Sequence, residues 1–168
     1  DGTTAVGYNA ARDLTEGQYN TVLGHEAGTN LTTGDQNTAI GYESMHGNDS
    51  TALTGDQNTS VGYNSLKVIT TGGTNNAFGS HALFALTSGQ NNTAIGYYAL
   101  GALTDGDSNV VIGQNAGDAM AVGESQNIAI GQSTMGAFDE GTAGGDIDGN
   151  VAIGHSAFVG GDLAGNDR

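Results

Sequence analysis

A glycine that recurs about every 17 residues is the feature that most restricts how this chain can fold. It stands at Gly7, Gly24, Gly41, Gly62, Gly79, Gly96, Gly113, Gly131 and Gly154. The successive spacings are 17, 17, 21, 17, 17, 17, 18 and 23, so three repeats carry insertions of 4, 1 and 6 residues. A fixed short period of this kind is typical of solenoids, in which each repeat packs only against its neighbours.

Side chains before this glycine form strict columns. A bulky apolar residue precedes it directly, a small residue or valine stands two before, and asparagine stands four before in every repeat except the first. The phrase Asn-Thr-Ala-Ile-Gly predicts a five-residue strand with Thr and Ile on one face and Asn, Ala and Gly on the other. We expect structural columns represented by Ile40, Ile95, Ile112, Ile130, Ile153, Asn37, Asn92, Gly41 and Gly96.

A second glycine closes most repeats ten residues after the first. It stands at Gly17, Gly34, Gly72, Gly89, Gly106, Gly123 and Gly141, with an apolar residue three before each, and it moves to Gly55 in the repeat that carries four extra residues. Seventeen residues are enough for two short strands and two turns, which is one coil of a parallel solenoid. The sequence therefore predicts an all-β parallel β-solenoid of about nine coils, with stacked isoleucines and asparagine ladders.

Charge and composition narrow the choice of partner. Eighteen acidic residues face three basic ones, giving a formal charge of −15, which argues against nucleic acid and anionic membrane surfaces. No apolar run approaches 18 residues, so we expect no membrane insertion in this segment. The absence of cysteine excludes disulfides and thiolate metal sites. We interpret residues 1–168 as a single repeat domain, a fragment of a longer fibre protein.

Two stretches resemble known repeat families. The run from Gly24 to Tyr42 resembles the repeats of bacteriophage tail fibres, and Asn150-Val151-Ala152-Ile153-Gly154 resembles the head repeat of trimeric autotransporter adhesins, which is shorter. The resemblance implies a left-handed β-roll whose three copies pack side by side. It also implies an extracellular location, on a virion tail fibre or a bacterial cell surface, and attachment to a glycan or protein receptor.

The residues themselves also favour self-association. A coil of 17 residues encloses little space, so we expect that its apolar columns cannot all lie inside one chain. Packing of three copies would bury the remainder, which predicts a homotrimer.

An aromatic column is the main candidate for surface binding. Tyr8, Tyr42, Tyr63 and Tyr97 directly follow the recurring glycine. Such a stripe is able to bind a sugar or a partner surface. The competing interpretation is a set of polar-tipped rings that pack at a corner of the coil or at a trimer seam.

Metal binding is the secondary interpretation of two other features. His25, His46, His81 and His155 do not lie at ligand spacing in the sequence. The calcium candidates Asp146, Asp148 and Asn150 resemble the opening of a calcium loop, but the distal bidentate glutamate is missing. Acids that follow turn glycines ordinarily serve as solvated turn formers. We therefore expect no cofactor, with calcium as the alternative.

Catalysis is not expected, because no nucleophile motif or phosphate-binding loop is present. The expected function is a structural segment of an extracellular trimeric fibre that mediates attachment. The alternatives are a carbohydrate-binding solenoid and an ice-binding solenoid. The second rests on the aligned threonines Thr21, Thr38, Thr59 and Thr93, in a column that Val110 and Ile128 interrupt.

Overall fold

The computed structural model describes residues 2–48, 50–136 and 148–159 and contains one short strand in each repeat. The seven turns that join the first eight strands are described except at Asp49. No helix occurs in these described ranges, and hence none that could span a membrane. The strands are β1 (Thr4–Val6), β2 (Thr21–Leu23), β3 (Thr38–Ile40), β4 (Thr59–Val61), β5 (Asn76–Phe78), β6 (Thr93–Ile95), β7 (Val110–Ile112), β8 (Ile128–Ile130) and β9 (Val151–Ile153).

All nine strands form one parallel sheet in sequence order. Each strand pairs with the next in the register that the repeat predicts, as in Thr38 opposite Thr59 and Ile40 opposite Val61. The four-residue insertion between β3 and β4 leaves this register unchanged, because the extra residues lie outside the strands. The predicted parallel β-solenoid with coils of about 17 residues is confirmed.

The two faces of the sheet differ as the alternation predicts. The middle residue of each strand points inward and is buried from β2 onward, whereas the first and third residues are exposed or partly exposed. The strands are shorter than predicted, three residues instead of five. Asn37 at the entry is buried as a hydrogen-bonding residue, and Gly41 at the exit has a φ of 132°, which lies outside the β region.

The interior of the coil holds small side chains opposite large ones. The small residues are those in the middle of each strand and those three after the recurring glycine, for example Ala94 and Ala99. The large ones are Leu31, Leu53, Ile69, Leu86, Leu103 and Met120, together with Met45, Leu66, Leu83, Leu100 and Met135, and all of them are fully buried or nearly so. The leucine column fits inside the coil because alanine and serine on the facing wall leave room for it. The apolar columns do not all lie inside, as expected, since the bulky residue before the recurring glycine stays at least partly exposed, as at Ile95 and Ile153.

The predicted second strand is a turn. The backbone N–H groups of Thr70, Thr71 and Gly72 all donate to one carbonyl oxygen, that of Thr87 in the next coil, at 2.9–3.2 Å. In a strand ladder successive N–H groups would bond to different carbonyls. Convergence on a single acceptor bends the backbone here, so the leucine side of the coil stacks without forming a second sheet.

The predicted asparagine ladder is confirmed. Asn75 donates from Nδ2 to the Gly89 carbonyl at 2.8 Å, which ties the strand to the closing turn of the same coil. Asn75 also donates from its backbone N and from Nδ2 to Oδ1 of Asn58, at 3.0 and 3.1 Å. The same inter-coil bond to Oδ1 recurs along Asn20, Asn37, Asn58, Asn75, Asn92, Asn109, Asn127 and Asn150. These buried polar side chains are therefore satisfied by their neighbours in the stack.

The two predicted closing-turn glycines next to insertions, Gly55 and Gly123, have different outcomes in the structure. Gly55 takes the turn position as predicted, since its carbonyl accepts from Asn37 Nδ2. In the seventh coil the prediction of Gly123 is wrong, because the equivalent carbonyl is that of Glu124, which accepts from Asn109 Nδ2 at 2.8 Å. The one-residue insertion lies before the turn and moves Gly123 out of the column. Gly141 lies outside the described residues.

Close backbone contact between coils explains the recurring glycine. A Cβ on Gly96 would lie 2.5 Å from the carbonyl oxygen of Gly113 in the next coil, and the φ of Gly96 is +135°. Any larger residue would both clash and adopt a conformation that L-amino acids avoid. The glycine column thus sets how closely the coils stack.

Candidate functional site

The outer face of the sheet extends across all nine strands. We call sheet face the surface formed by the first and third side chains of β1 to β9. Third positions are apolar in every strand, from Val6 to Ile153, and many are at least a third exposed. First positions are polar from β1 to β6 and apolar from β7 to β9, where Val110, Ile128 and Val151 stand. The face therefore becomes entirely apolar toward β9.

The sheet face carries no charged side chain in any of its nine strands. The chain as a whole has 18 acidic and three basic residues, so its charge is segregated to the turns and loops. With strands about 4.8 Å apart and three residues long, the strand surface alone covers roughly 400 Å². An uncharged and largely apolar face of this size is comparable to the largest patch on a typical monomeric protein, which is often functional.

The predicted isoleucine columns lie on this face. Ile40, Ile95, Ile112, Ile130 and Ile153 occupy equivalent positions in successive or nearby strands and point away from the interior. The repeats predict these columns, and the absence of charge beside them, which was not predicted, is visible in the same alignment of repeats. The signal was available, because no Asp, Glu, Lys or Arg stands at either outward strand position in any repeat.

Beside the sheet face runs the predicted aromatic column, whose rings stack on one another. Ring centroids are 5.1 Å apart from Tyr8 to His25 and from His25 to Tyr42, and 5.3 Å apart from Tyr42 to Tyr63, with interplanar angles of 8–25°. Ser80 interrupts the column, and Tyr97 instead lies near His81 and Tyr98.

This stacking determines what the column can bind. A sugar usually packs against the face of an aromatic ring. Here the faces of His25 and Tyr42 are covered by their neighbours in the stack, so a ligand would meet ring edges and hydroxyls. Tyr8, Tyr42, Tyr63 and Tyr97 are still 42–67% exposed, so both the packing and the surface-binding interpretation account for part of the geometry.

One ion pair lies next to this column. Lys67 contacts Glu43 Oε2, and the hydrogen bond from Lys67 holds the pKa of the Glu43 carboxyl below its usual value. The Glu43 carboxylate in turn accepts a hydrogen bond from the Tyr42 hydroxyl and raises the pKa of that phenol. The pair crosses from the third coil to the fourth and therefore ties neighbouring coils together.

The calcium candidates are divided by the structure. Asp148 Oδ1 accepts from the Ser125 backbone N at 2.7 Å, and Asn150 continues the asparagine ladder through Asn127. Both side chains thus have structural partners in the coil stack, and Asp146 lies outside the described residues.

The histidines are dispersed along the rod. His25 stacks between two tyrosines, His46 contacts the carbonyl of Gly47, and His81 contacts Ser80. Across residues 2–48, 50–136 and 148–159, no three His, Cys, Asp or Glu side chains are grouped as metal ligands.

Comparisons with known proteins add no family to this geometry. The chain has no significant match to a protein-family model, a curated protein or a solved structure. The chain is a parallel β-solenoid with an uncharged sheet face.

Proposed function

We propose that this chain is a structural segment of an extracellular fibre in which three copies pack through their sheet faces. The observation that carries the proposal is the uncharged, increasingly apolar sheet face on a chain of formal charge −15. Like charges would repel two copies at the turns, whereas the sheet faces can meet without desolvating any charge.

The shape of the solenoid suits a load-bearing rod. The strands stack in sequence order over roughly 40 Å, and every coil is hydrogen-bonded to the next by backbone and asparagine side chains. The sequence resemblance to phage tail fibres and trimeric adhesins favours attachment to a host or surface as the role of the fibre. A glycan or a protein on that surface would be the receptor.

Sedimentation equilibrium at micromolar concentration tests the proposal. We expect the chain to have three times its monomer mass, and Ile130→Lys, which places a charge on the sheet face, to dissociate it. The matched control is Ser88→Lys, which adds the same charge at an exposed position on the closing turn. A wild-type chain that remains a monomer, or a trimer that Ile130→Lys leaves intact, contradicts the proposal.

Ice binding is the second candidate, because one half of the sheet face is regular and rich in threonine. Thr4, Thr21, Thr38, Thr59 and Thr93 share the first strand position, each beside an exposed or half-exposed aliphatic side chain. A threonine array can order water, but here Asn76 interrupts it in β5 and it ends at β6. Thermal hysteresis of the purified chain measures this activity directly, and its absence dismisses the candidate.

A further inference from the structure

A ladder of carboxylates runs along the closing turns of the coils. The residue after the turn glycine accepts, through its side chain, a hydrogen bond from the equivalent backbone N–H of the preceding coil. Asp35 accepts from Gln18 N at 2.7 Å, Asp56 from Asp35 N at 2.7 Å, and Asp107 from Gln90 N at 2.6 Å. Ser125 and Asp148 continue the pattern. This position therefore selects an oxygen acceptor, and most often a carboxylate.

The ladder has a gap at Gly73, which has no side chain to offer. The backbone N–H of Asp56 consequently has no acceptor within the described part of the chain, and neither does that of Gly73, because Gln90 does not make the bond. Two neighbouring amides that would otherwise donate to carboxylates thus face solvent. Adjacent unpaired backbone N–H groups are a recurrent means of binding anions.

A shallow concavity lies over this gap. It is lined by Asp56 and by neutral hydrogen-bonding side chains that are all exposed: Thr54, Thr71, Thr74, Gln57 and Gln90. The three threonine hydroxyls make no hydrogen bond to other described residues, so they are available to a ligand. Two unpaired backbone N–H donors can bind a carboxylate, and the hydroxyl and amide side chains around them can bind hydroxyls. The concavity therefore matches a molecule that carries one carboxylate and several hydroxyls.

We propose that the concavity at Gly73 binds an acidic sugar of the hexuronic type. The sugar carboxylate takes the place of the missing aspartate side chain and accepts from the Asp56 N–H. A ring or hydroxyl oxygen accepts from the Gly73 N–H, and the threonine and glutamine side chains bond to the remaining hydroxyls.

Repulsion from the Asp56 carboxylate does not exclude this occupant. Asp56 Oδ1 points toward the preceding coil, where it accepts from Asp35 N. Asp35 and Asp56 already occupy successive steps of the ladder, so the fold accommodates two carboxylates one coil apart when each accepts a backbone N–H. Charge-assisted hydrogen bonds of this kind are about twice as strong as neutral ones.

Amide chemical shifts of the ¹⁵N-labelled chain, titrated with glucuronate, test the site. We expect the Asp56 and Gly73 amide signals to move together, glucose to move neither, and acetate to act at least about tenfold more weakly than glucuronate. Gly73→Asp supplies the carboxylate internally, and we expect it to abolish the glucuronate response and to raise the unfolding temperature. Gly73→Ala places a Cβ 3.8 Å from Asp56 N, in the space proposed for the sugar carboxylate but without an acceptor, so we expect it to weaken the response without raising the unfolding temperature.

Each other outcome overturns the proposal. Unmoved amides in the wild-type chain, or an undiminished response in Gly73→Asp, show that this is not the binding site. If glucose gives the same response as glucuronate, the carboxylate plays no part in recognition. If acetate binds as tightly as glucuronate, the sugar ring plays no part in it. The site lies on the closing turns, so the result is independent of whether copies associate through the sheet face.

Discussion

Val22 and Gly28 share the interior of one coil, and the size of one compensates for the size of the other. A Cβ on Gly28 would lie 3.4 Å from both methyl groups of Val22. Where the strand residue is smaller, the partner is larger: Ala39 with Met45, Ser60 with Leu66, Ala77 with Leu83, Ala94 with Leu100, and Ala129 with Met135. Val111 and Gly117 repeat the exchanged pair. The pair, and not either column alone, sets the volume of the interior.

Combining Val22→Ala with Gly28→Leu should restore the stability that each of the two substitutions removes on its own. Val22→Ala leaves a cavity and should cost about 2 kcal/mol, and Gly28→Leu should cost about 1–3 kcal/mol through overpacking. The double variant reproduces the Ala-and-Leu arrangement of the sixth coil, so we expect a favourable coupling of about 1–3 kcal/mol in urea unfolding. Backbone conformation is no obstacle, since Leu100 adopts a φ of 51° at the equivalent position.

A distant pair provides the control for this cycle. Val22→Ala combined with Gly117→Leu changes the same residue types in coils that do not touch, and their effects should add. A Val22→Ala, Gly28→Leu variant whose loss equals the sum of the single losses contradicts the compensation.

Period and alternation were sufficient to predict the solenoid, its parallel register and the inward asparagines. They were insufficient for the interior, because the residue four after the recurring glycine varies from Gly28 to Leu66 and shows no column on its own. This residue is buried because its backbone adopts a left-handed conformation, such as the φ of 48° at Leu66. The sequence does not predict that conformation for a residue other than glycine. The shift from Gly123 to Glu124 was missed because both residues stand beside the turn.

The candidate sites were less predictable still. The sequence placed the tyrosines in one column but could not say whether their faces stack on each other. The gap at Gly73 becomes visible only when Asp35, Asp56 and Asp107 are seen to accept from the preceding coil. Glycine is common in turns, so the sequence alone does not show that Gly73 lacks a side-chain acceptor that the equivalent aspartates provide.

The asparagine ladder should be sensitive to a single truncation. Asn75→Ala leaves the Gly89 carbonyl and the Asn92 backbone N without these partners in a buried position, and it removes one of the two hydrogen bonds to Asn58 Oδ1, so we expect a loss of about 2–3 kcal/mol. Asn75→Asp should cost more at neutral pH, because a carboxylate would face the Gly89 carbonyl and Asn58 Oδ1. Urea unfolding measures both losses.

The neighbouring Asn76→Thr serves as the control for Asn75. Asn76 lies on the outer side of β5, where all four preceding strands have threonine, and its replacement should leave stability nearly unchanged. Equal losses at Asn75 and Asn76 would contradict the role assigned to the ladder.

Glycine in the recurring column should be irreplaceable even by alanine. Gly96→Ala places a Cβ 2.5 Å from the Gly113 carbonyl oxygen at a φ of +135°, and we expect a loss above about 4 kcal/mol. Gly149→Ala separates the two causes, because Gly149 has a φ of +70° and no heavy atom of the described residues lies within 4 Å of the added Cβ. It should cost only about 1–2 kcal/mol. Comparable losses in thermal unfolding would show that backbone contact does not set the stacking.

Acid should weaken the tie between the third and fourth coils. The Lys67 hydrogen bond lowers the pKa of Glu43 in the folded chain, so the pair stabilises the fold at pH values above the unfolded glutamate pKa of about 4.3. That contribution is lost as the pH falls through the folded pKa, because the unfolded carboxyl binds its proton first. We expect Glu43→Gln to lower stability by about 1 kcal/mol at neutral pH and to match the wild type in strong acid. Glu16→Gln, at an exposed glutamate outside the ion pairs of the described residues, is the control, and a pH-independent loss in Glu43→Gln would contradict the linkage.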